Sequence, residues 1–284
     1  MVIDMMDTVM ILSPAMTTAA PAIPPFSINP DPSLLYLTPG LEAALHKTRY
    51  VIENRQGLTA IFGDVGLGKS TVLRYLYQSY AARDDCRTAF LHTPSYKSEF
   101  AFLKAICADF DIPIRPSQQR QESELNGFLI EQLNEGRLVV LFVDEAQKLP
   151  GSQLELVRTL LNFEDGRVKL IQIVLAAQLE IKQKLADPSK KAIRSRIFAP
   201  SMLDALTLSE TMEMIAFRCQ RAGIQNPFEA GAVEAVYRVT GGVPREILKV
   251  CSIALEMARA QGVERIGAEL VQALHPEAVY VNEE

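Results

Sequence analysis

The residues best suited to chemistry form the stretch Gly63–Ser70, which reads GDVGLGKS. It fits the phosphate-binding pattern of a glycine, any four residues, and then Gly-Lys-Ser or Gly-Lys-Thr. Glycines in such a loop let the backbone turn tightly and aim its N–H groups at a phosphate chain. Lys69 is suited to the β- and γ-phosphates, and the Ser70 hydroxyl is suited to Mg²⁺. The motif therefore predicts a site for a nucleoside triphosphate with Mg²⁺.

The residues on either side place this loop at a strand-to-helix turn. Leu58–Phe62 is apolar and partly β-branched, as a buried strand is. Thr71–Ala82 carries apolar side chains at helical spacing, from Val72 to Tyr80. A glycine-rich turn with a surface lysine is the alternative, and this context argues against it. The residues expected at the nucleotide are Gly63, Asp64, Val65, Gly66, Leu67, Gly68, Lys69, Ser70 and Thr71.

A second chemical signal is Leu138–Glu145, which reads LVVLFVDE. An unbroken apolar run predicts a central strand covered on both faces, and its two carboxylates then stand at the sheet edge where ligands bind. Asp144 is suited to hold Mg²⁺, through water. Glu145 is suited to orient and deprotonate an attacking water. A plain acidic strand end is the alternative.

Two further signals follow the next predicted strand. Gln178 stands just past Ile171–Ala177, where its side chain can reach an attacking water or a γ-phosphate, unless it is a solvated strand end. Arg194 and Arg196 then lie in a basic segment that begins at Lys182. An arginine presented to the γ-phosphate of a neighbouring subunit stabilises transition-state charge. The alternative is a solvated basic face, and the sequence does not choose between the two arginines.

The last signal is Gly241–Ile247, which reads GGVPREI. Pro244 is suited to the first turn of a helix. Arg245 follows it and is expected to contact the phosphates and to respond to the nucleotide state. An ordinary first-turn arginine is the alternative.

Composition sets the class of protein. The chain has 284 residues, 48% of them hydrophobic and 22% charged, with a net charge of −5. These values are typical of a soluble globular protein and do not indicate a surface made for nucleic acid, although a local basic patch suffices for that. The four cysteines lack metal-type spacing, which indicates reduced thiols and a cytoplasmic protein. We expect no secretory signal, because residues 1–28 contain no Lys or Arg, and no membrane span.

The order of elements predicts an α/β fold with a parallel sheet sandwiched by helices, followed by a small all-helical lid domain. The expected division is a flexible tail at 1–24, a nucleotide-binding domain at 25–206, the lid at 207–275 and a C-terminal tail at 276–284. The expected strands are Leu58–Phe62, Arg87–His92, Leu138–Val143, Lys169–Ala177 and Ile197–Leu203. The expected helices of the first domain are Leu41–Glu53, Thr71–Ala82, Ser98–Phe110, Glu122–Glu135, Gln153–Phe163 and Ile181–Ala186. The expected lid helices are Ser209–Ala222, Glu229–Val239, Pro244–Ala260 and Gly267–Leu274.

These pieces, in this order, resemble the P-loop ATPases of the AAA+ class. More narrowly, the chain resembles the ExeA-type secretion ATPases and their relatives, the MuB-, TniB- and TnsC-like transposition ATPases. The stretches that carry the resemblance are Pro25–Pro39, GDVGLGKS, FVDEAQKL, IQIVLAAQLEI, IRSRI and GGVPREI. The resemblance implies ATP and Mg²⁺ as cofactors and hydrolysis of ATP to ADP and phosphate. It also implies an adenine pocket lined by Tyr36 and assembly of the subunits into rings or filaments.

The sequence leaves the partner open. The first interpretation is an oligomeric ATPase switch or motor acting on a protein, such as a secretion or assembly component. The second is a DNA-binding ATPase that assembles on duplex DNA and recruits a transposase, with Tyr96, Lys97 and Lys148 as DNA contacts. A nucleotide-locked signalling module is a third, and Glu145 argues against it. Secretion members continue into a membrane span and a cell-wall-binding portion, and a sequence that stops at Glu284 leads us to expect the motor module alone.

Overall fold

The structure is a computed structural model that describes residues 24–92 and 94–274. The tails predicted at 1–24 and 276–284 lie outside the described residues, apart from Pro24. The strands are β1 (Leu58–Gly63), β2 (Cys86–Leu91), β3 (Leu138–Val143), β4 (Gln172–Ala177) and β5 (Ser201–Leu203). The helices are α1 (Pro39–Glu53), α2 (Lys69–Ala81), α3 (Glu99–Asp109), α4 (Gln118–Asn134), α5 (Gly151–Leu160), α6 (Glu180–Ala186), α7 (Lys191–Arg194), α8 (Leu208–Arg221), α9 (Ala230–Thr240), α10 (Pro244–Gln261) and α11 (Ala268–Ala273).

The strands form one parallel sheet in the order β2-β3-β4-β1-β5. Every residue of β1, β3 and β4 is buried, which explains why their sequences are mostly apolar and that of β3 entirely so. Because parallel strands end at the same edge, the segments after β1, β3 and β4 meet there. The predicted fold class is confirmed.

Helices cover both faces of the sheet, and the alternation of side chains along the strands divides the core between them. On β3, Val139, Leu141 and Val143 pack with α3, α4 and α5 on one face. Val140 and Phe142 pack with α1 and α2 on the other face. The central strands are thereby fixed on both sides, and the groups at their carboxyl ends are held in place.

The four helices from α8 onward have a core of their own. Thr207 starts α8 with a capping box, in which its hydroxyl accepts from the Glu210 N–H and the Glu210 carboxylate accepts from the Thr207 N–H. Phe26, far away in sequence, packs in this helical core with its ring edge-on to Phe228 at 5.6 Å. The N-terminal segment thus contacts the predicted lid. The division between 206 and 207 stays a prediction.

Two strands are shorter than predicted. β4 begins at Gln172 rather than at Lys169, because Lys169 forms an antiparallel bridge with Glu164 instead of joining the sheet. β5 begins at Ser201 rather than at Ile197. Ile197 makes only an isolated bridge to β1, and Ala199, with φ 46°, turns the chain before Pro200. The sequence pattern did not reveal these interruptions, since the apolar residues continue through them.

Candidate nucleotide site

The loop between β1 and α2 has the shape that its glycines predict. Gly66 and Gly68 adopt φ values of 81° and 88°, which residues with a Cβ adopt rarely. Gly68 is the N-cap of α2, so the helix begins at Lys69 with its N-terminal N–H groups facing the loop. The positive end of α2 is therefore available to an anion.

Lys69 is held in place before any phosphate is bound. Its Nζ donates to the carbonyl oxygens of Gly63 at 3.0 Å and Asp64 at 2.7 Å. The side chain is 6% exposed, and this burial lowers its pKa, an effect that the nearby carboxylates of Glu145 and Asp144 oppose. A buried ammonium with carbonyl partners and nearby carboxylates is the arrangement expected of a lysine that is ready to bind phosphate.

Asp144 follows β3 at the sheet edge, facing the start of α2. It is 5% exposed, and its carboxylate is hydrogen-bonded to the Ser70 side chain. Burial raises the pKa of Asp144, and the Ser70 hydrogen bond opposes this shift. A hydroxyl and a carboxylate in contact supply the hard oxygen ligands that Mg²⁺ prefers. No group of three or more His, Cys, Asp or Glu suited to a metal occurs in residues 24–92 and 94–274.

Glu145 stands next along the chain in an uncommon backbone conformation. Its φ and ψ are 52° and 36°, in the left-handed region that a residue with a side chain seldom adopts. Its N–H donates to Asp144 Oδ1 at 2.9 Å. Its Oε2 accepts from Gln147 Nε2 at 2.9 Å and lies 3.4 Å from Lys148 Nζ. The two carboxylates are thus held apart, with Asp144 beside the start of α2 and Glu145 beside Gln147 and Lys148.

One cavity of about 530 Å³ joins these groups. The predicted residues that line it are Tyr36, Val65, Gly66, Leu67, Gly68, Lys69, Ser70, Thr71, Asp144, Glu145, Gln178, Pro244 and Arg245. Gly63 and Asp64 take part through the carbonyl groups that hold Lys69. The structure therefore brings residues from five separate sequence stretches to one site large enough for a nucleotide.

Arg245 reaches the cavity from the predicted lid. Pro244 begins α10, and the Arg245 N–H donates to the Gly66 carbonyl at 3.2 Å. Gly66 lies so close to α10 that a Cβ there would stand 2.8 Å from Val243 Cγ1 and 3.2 Å from Arg245 Cβ. The start of α10 thus rests directly on the phosphate loop.

Tyr36 lines the other end of the cavity. Its hydroxyl is hydrogen-bonded to Glu213, and its ring lies 5.8 Å from the ring of Phe217. Burial and, secondly, the Glu213 hydrogen bond raise the pKa of Tyr36 to about 12, so the phenol is neutral. The apolar side chains of Leu206, Met214 and Leu248 line the same cavity, which suits the flat face of a base.

The sequence did not indicate Arg218, which also lines the cavity. It is 7% exposed, and its Nη1 donates to the Ser27 carbonyl at 3.3 Å, while its Nε has no partner among the described residues. Burial lowers its pKa to about 10, an effect that Asp31 opposes. An arginine in a helix is usually solvated, so its residue type alone does not indicate a buried position. The one signal in the sequence is that Arg218 follows Met214 by four residues and therefore lies on the same side of α8. His92 and Arg74 are further lining residues that were not predicted.

The two candidate finger arginines lie outside the cavity of their own chain. Arg194 Nη1 donates to the Leu185 carbonyl at 3.2 Å, and Arg196 Nη1 donates to the Arg158 carbonyl at 2.6 Å. Arg194 is exposed and Arg196 is half-buried. Within one chain neither guanidinium belongs to the site, and their predicted role toward a neighbouring subunit stays a prediction.

The predicted DNA contacts differ in their surroundings. The ring of Tyr96 packs on Phe102 at 5.2 Å, and burial raises its pKa. Lys97 is exposed, and Lys148 is exposed beside Glu145. The Tyr96 ring therefore serves mainly to pack against Phe102, whereas Lys97 and Lys148 face solvent.

No helix in the described part of the chain combines the length and the apolar character that crossing a membrane requires.

Comparison with known proteins agrees with this site. Residues 52–185 match the family described as AAA domain. General secretion pathway protein A of Aeromonas hydrophila is 35% identical over 246 residues, which is 86% of this chain and 44% of that protein. The chain thus spans less than half the length of this relative.

Solved structures share the fold. The Aeropyrum pernix ORC2 protein in ADPNP and ADP complexes matches 92% of this chain and 72% of its own, with a TM-score of 0.66 and 17% identity. The ORC1 protein of Aeropyrum pernix in complex with DNA matches 88% of this chain and 68% of its own, with a TM-score of 0.65 and 17% identity. The phosphate loop, the paired carboxylates, the parallel sheet and these matches together show that residues 52–185 form an AAA domain, within a chain whose sequence is similar to General secretion pathway protein A.

Proposed function

We propose that this protein is an oligomeric ATPase that acts as a nucleotide-dependent switch or motor on a protein partner. The observation that carries the proposal is the single cavity in which the phosphate loop, Asp144, Glu145, Gln178 and Arg245 meet. It supports both binding of ATP and hydrolysis, and it includes a residue from the predicted lid that can report the nucleotide state.

Binding of ATP uses the loop and the start of α2. The N–H groups at the helix N-terminus receive the phosphates, and Lys69 exchanges its two carbonyl partners, Gly63 and Asp64, for phosphate oxygens. Ser70 and Asp144 would hold Mg²⁺, which supplies charge neutralisation of the phosphates when it is bound. The base lies at the Tyr36 end of the cavity, against apolar side chains.

Hydrolysis uses the ends of β3 and β4. Glu145 has one carboxylate oxygen engaged and the other available to accept a proton from water. Gln178 lines the cavity at the end of the neighbouring strand, where its amide can fix the same water or the γ-phosphate. Arg245, on the lid side of the cavity, interacts with the charge of the γ-phosphate. Loss of that phosphate therefore changes the contact between α10 and the phosphate loop.

Assembly completes the proposal. The basic segment with Arg194 and Arg196 does not reach the cavity of its own chain, so we assign it to the nucleotide of a neighbouring subunit in a ring or filament. The sequence similarity to General secretion pathway protein A favours a component of a secretion or assembly complex as the partner. We place the protein in the cytoplasm, where ATP is available.

The second candidate function is a DNA-bound switch that recruits a transposase. It is favoured by the exposure of Lys97 and Lys148 and by the ORC1 protein, whose matching structure was solved in complex with DNA. The net charge of −5 argues for a small basic patch rather than a broad DNA surface.

A gel shift with duplex DNA, with ATP and without it, separates the two candidates. It should be run at two salt concentrations, because phosphate contacts weaken steeply with salt. The protein-partner proposal expects no ATP-dependent shift and no stimulation of turnover by DNA. Loss of a shift in Lys97→Ala but not in Lys47→Ala, an exposed lysine of α1, would assign the DNA contact and favour the second candidate.

A further inference from the structure

We infer that Gln147 is a positioning residue that fixes the catalytic carboxylate of Glu145 to the end of β4. The inference rests on the proposed function and deepens it. Gln147 is half-buried, and it is not among the described residues that line the nucleotide cavity. Any effect it has on turnover must therefore pass through its neighbours.

The side-chain amide of Gln147 uses both of its polar ends. Its Nε2 donates to Glu145 Oε2 at 2.9 Å, and its Oε1 accepts from the backbone N–H of Gln178 at 3.0 Å. One planar group thus connects the residue proposed to activate water with the residue proposed to sense the γ-phosphate. A shift of Gln178 along β4 is transmitted to the Glu145 carboxylate through a single rigid amide.

The backbone of Gln147 is held as well. Its carbonyl accepts from Lys184 Nζ, which reaches across from α6, and Gln147 lies in a short 3₁₀ helix, Ala146–Lys148. The turn before it contains the left-handed Glu145. Local strain of this kind persists where the surroundings determine the conformation, and it is common at active sites.

The two hydrogen-bond donors near Glu145 approach the same oxygen of its carboxylate. Gln147 Nε2 and Lys148 Nζ approach Oε2, and no described side chain donates to Oε1. The exposed ion pair with Lys148 contributes little to orientation, since it is solvent-screened. The neutral amide of Gln147, tied at its other end to β4, is the contact that defines the direction in which Oε1 points.

The test is Gln147→Met, which keeps the length of the side chain and removes both hydrogen bonds. We expect kcat for ATP hydrolysis to fall about 10- to 100-fold, the range for a lost hydrogen bond to a charged group and for a displaced catalytic group. The KM and the Kd for ATP should stay at the wild-type values. The matched control is Gln121→Met, because Gln121 is fully buried, also makes two hydrogen bonds through its amide, and lies far along the chain on α4. Its kcat per folded molecule should equal that of the wild type.

A double-mutant cycle with Glu145→Gln separates positioning from a structural role. If Gln147 acts through Glu145, adding Gln147→Met to Glu145→Gln should lower single-turnover hydrolysis no further. A multiplicative loss, an unchanged kcat in Gln147→Met, or a rise in KM that matches the fall in kcat would each overturn the inference.

Gln147→Glu serves if the methionine variant does not fold. It keeps an acceptor for the Gln178 N–H and places a second carboxylate against Glu145, so kcat should fall with Kd for ATP unchanged. If Gln147→Glu hydrolyses ATP at the wild-type rate, the inference is wrong and the proposed function stands. If the wild-type protein hydrolyses no ATP, both the proposed function and the inference are wrong.

Discussion

At the residue scale, Lys69 is the residue to which we assign the largest part in ATP binding. Its ammonium is buried beside two backbone carbonyls, and no other lysine is among the described residues that line the cavity. We predict that Lys69→Ala abolishes ATP binding, because the β- and γ-phosphates lose the cation that is fixed next to them. Titration with a fluorescent ATP analogue measures this. Lys47→Ala, which removes an exposed lysine from α1, should bind as the wild type does, and wild-type affinity in Lys69→Ala would contradict the assigned site.

Glu145 should affect turnover without affecting binding. We predict that Glu145→Gln binds ATP with wild-type affinity and hydrolyses it about 10²–10⁴ times more slowly, because the amide keeps the shape and loses the base. Phosphate release under saturating ATP measures the rate, and Glu131→Gln, on the exposed side of α4, is the control. A normal rate in Glu145→Gln means that another group activates the water.

Residues of the site differ in how far the sequence reveals them. The position of Lys69 and Ser70 in the cavity was predictable from the spacing within the phosphate-loop motif, and that of Asp144 and Glu145 from their place at the end of an apolar strand. Arg218 and Gln147 were not, because each has a partner from a distant part of the chain. Ser27, for example, is brought to Arg218 only by the fold. A contact between residues far apart in sequence leaves no periodic pattern.

At the element scale, the junction between β5 and α10 depends on two glycines. Gly242 has φ 76°, and a Cβ there would stand 2.0 Å from the Leu206 carbonyl oxygen, whose residue also donates its N–H to the Gly242 carbonyl. Gly241 has φ 59°, and a Cβ there meets nothing within 4 Å. Alanine substitutions at the two glycines therefore distinguish the cost of a left-handed backbone from the cost of a steric clash.

We predict that Gly241→Ala lowers the free energy of unfolding by about 1–2 kcal/mol, the cost of a left-handed backbone with a side chain. Gly242→Ala should lose about 2–5 kcal/mol, since overpacking adds to that strain. It should also weaken ATP binding, because Pro244 and Arg245 follow directly and rest on the phosphate loop. Thermal unfolding and ATP titration of both variants test this. If the two variants lose the same free energy of unfolding, the backbone at Leu206 moves away from the new Cβ of Gly242→Ala without cost.

Most elements were predictable from hydrophobic spacing, within a few residues at their ends. β3 was predicted with its observed bounds, Leu138–Val143, because a strand buried on both faces has an unbroken apolar sequence and polar residues at each end. The late start of β5 was missed, because a turn at Ala199 and Pro200 decides it rather than a change in hydrophobicity. The short helix α7 was also missed.

At the scale of the whole molecule, one chain supplies the phosphate loop and, in the proposed roles, the metal carboxylate Asp144, the water base Glu145 and the lid arginine Arg245. It does not supply a guanidinium from the basic segment, because Arg194 and Arg196 bond to carbonyl groups of their own chain away from the cavity. If a neighbouring subunit provides the missing charge, ATP tightens the contact through charge-assisted hydrogen bonds. The active site is then shared, and turnover depends on assembly.

We therefore predict that turnover per subunit rises with protein concentration. Arg194→Ala or Arg196→Ala should bind ATP normally and lose turnover, by roughly 10³–10⁵ if that residue is the finger, as for arginine fingers in other phosphoryl-transfer systems. Mixing the inactive arginine variant with Lys69→Ala should restore part of the activity, because each lacks what the other supplies: one keeps an intact nucleotide site and the other keeps the arginine. Steady-state assays across a dilution series, with light scattering to follow assembly, measure both effects. Activity per subunit that does not change with dilution, together with normal turnover in both arginine variants, would show that the site is complete within one chain and that the shared-site arrangement is wrong.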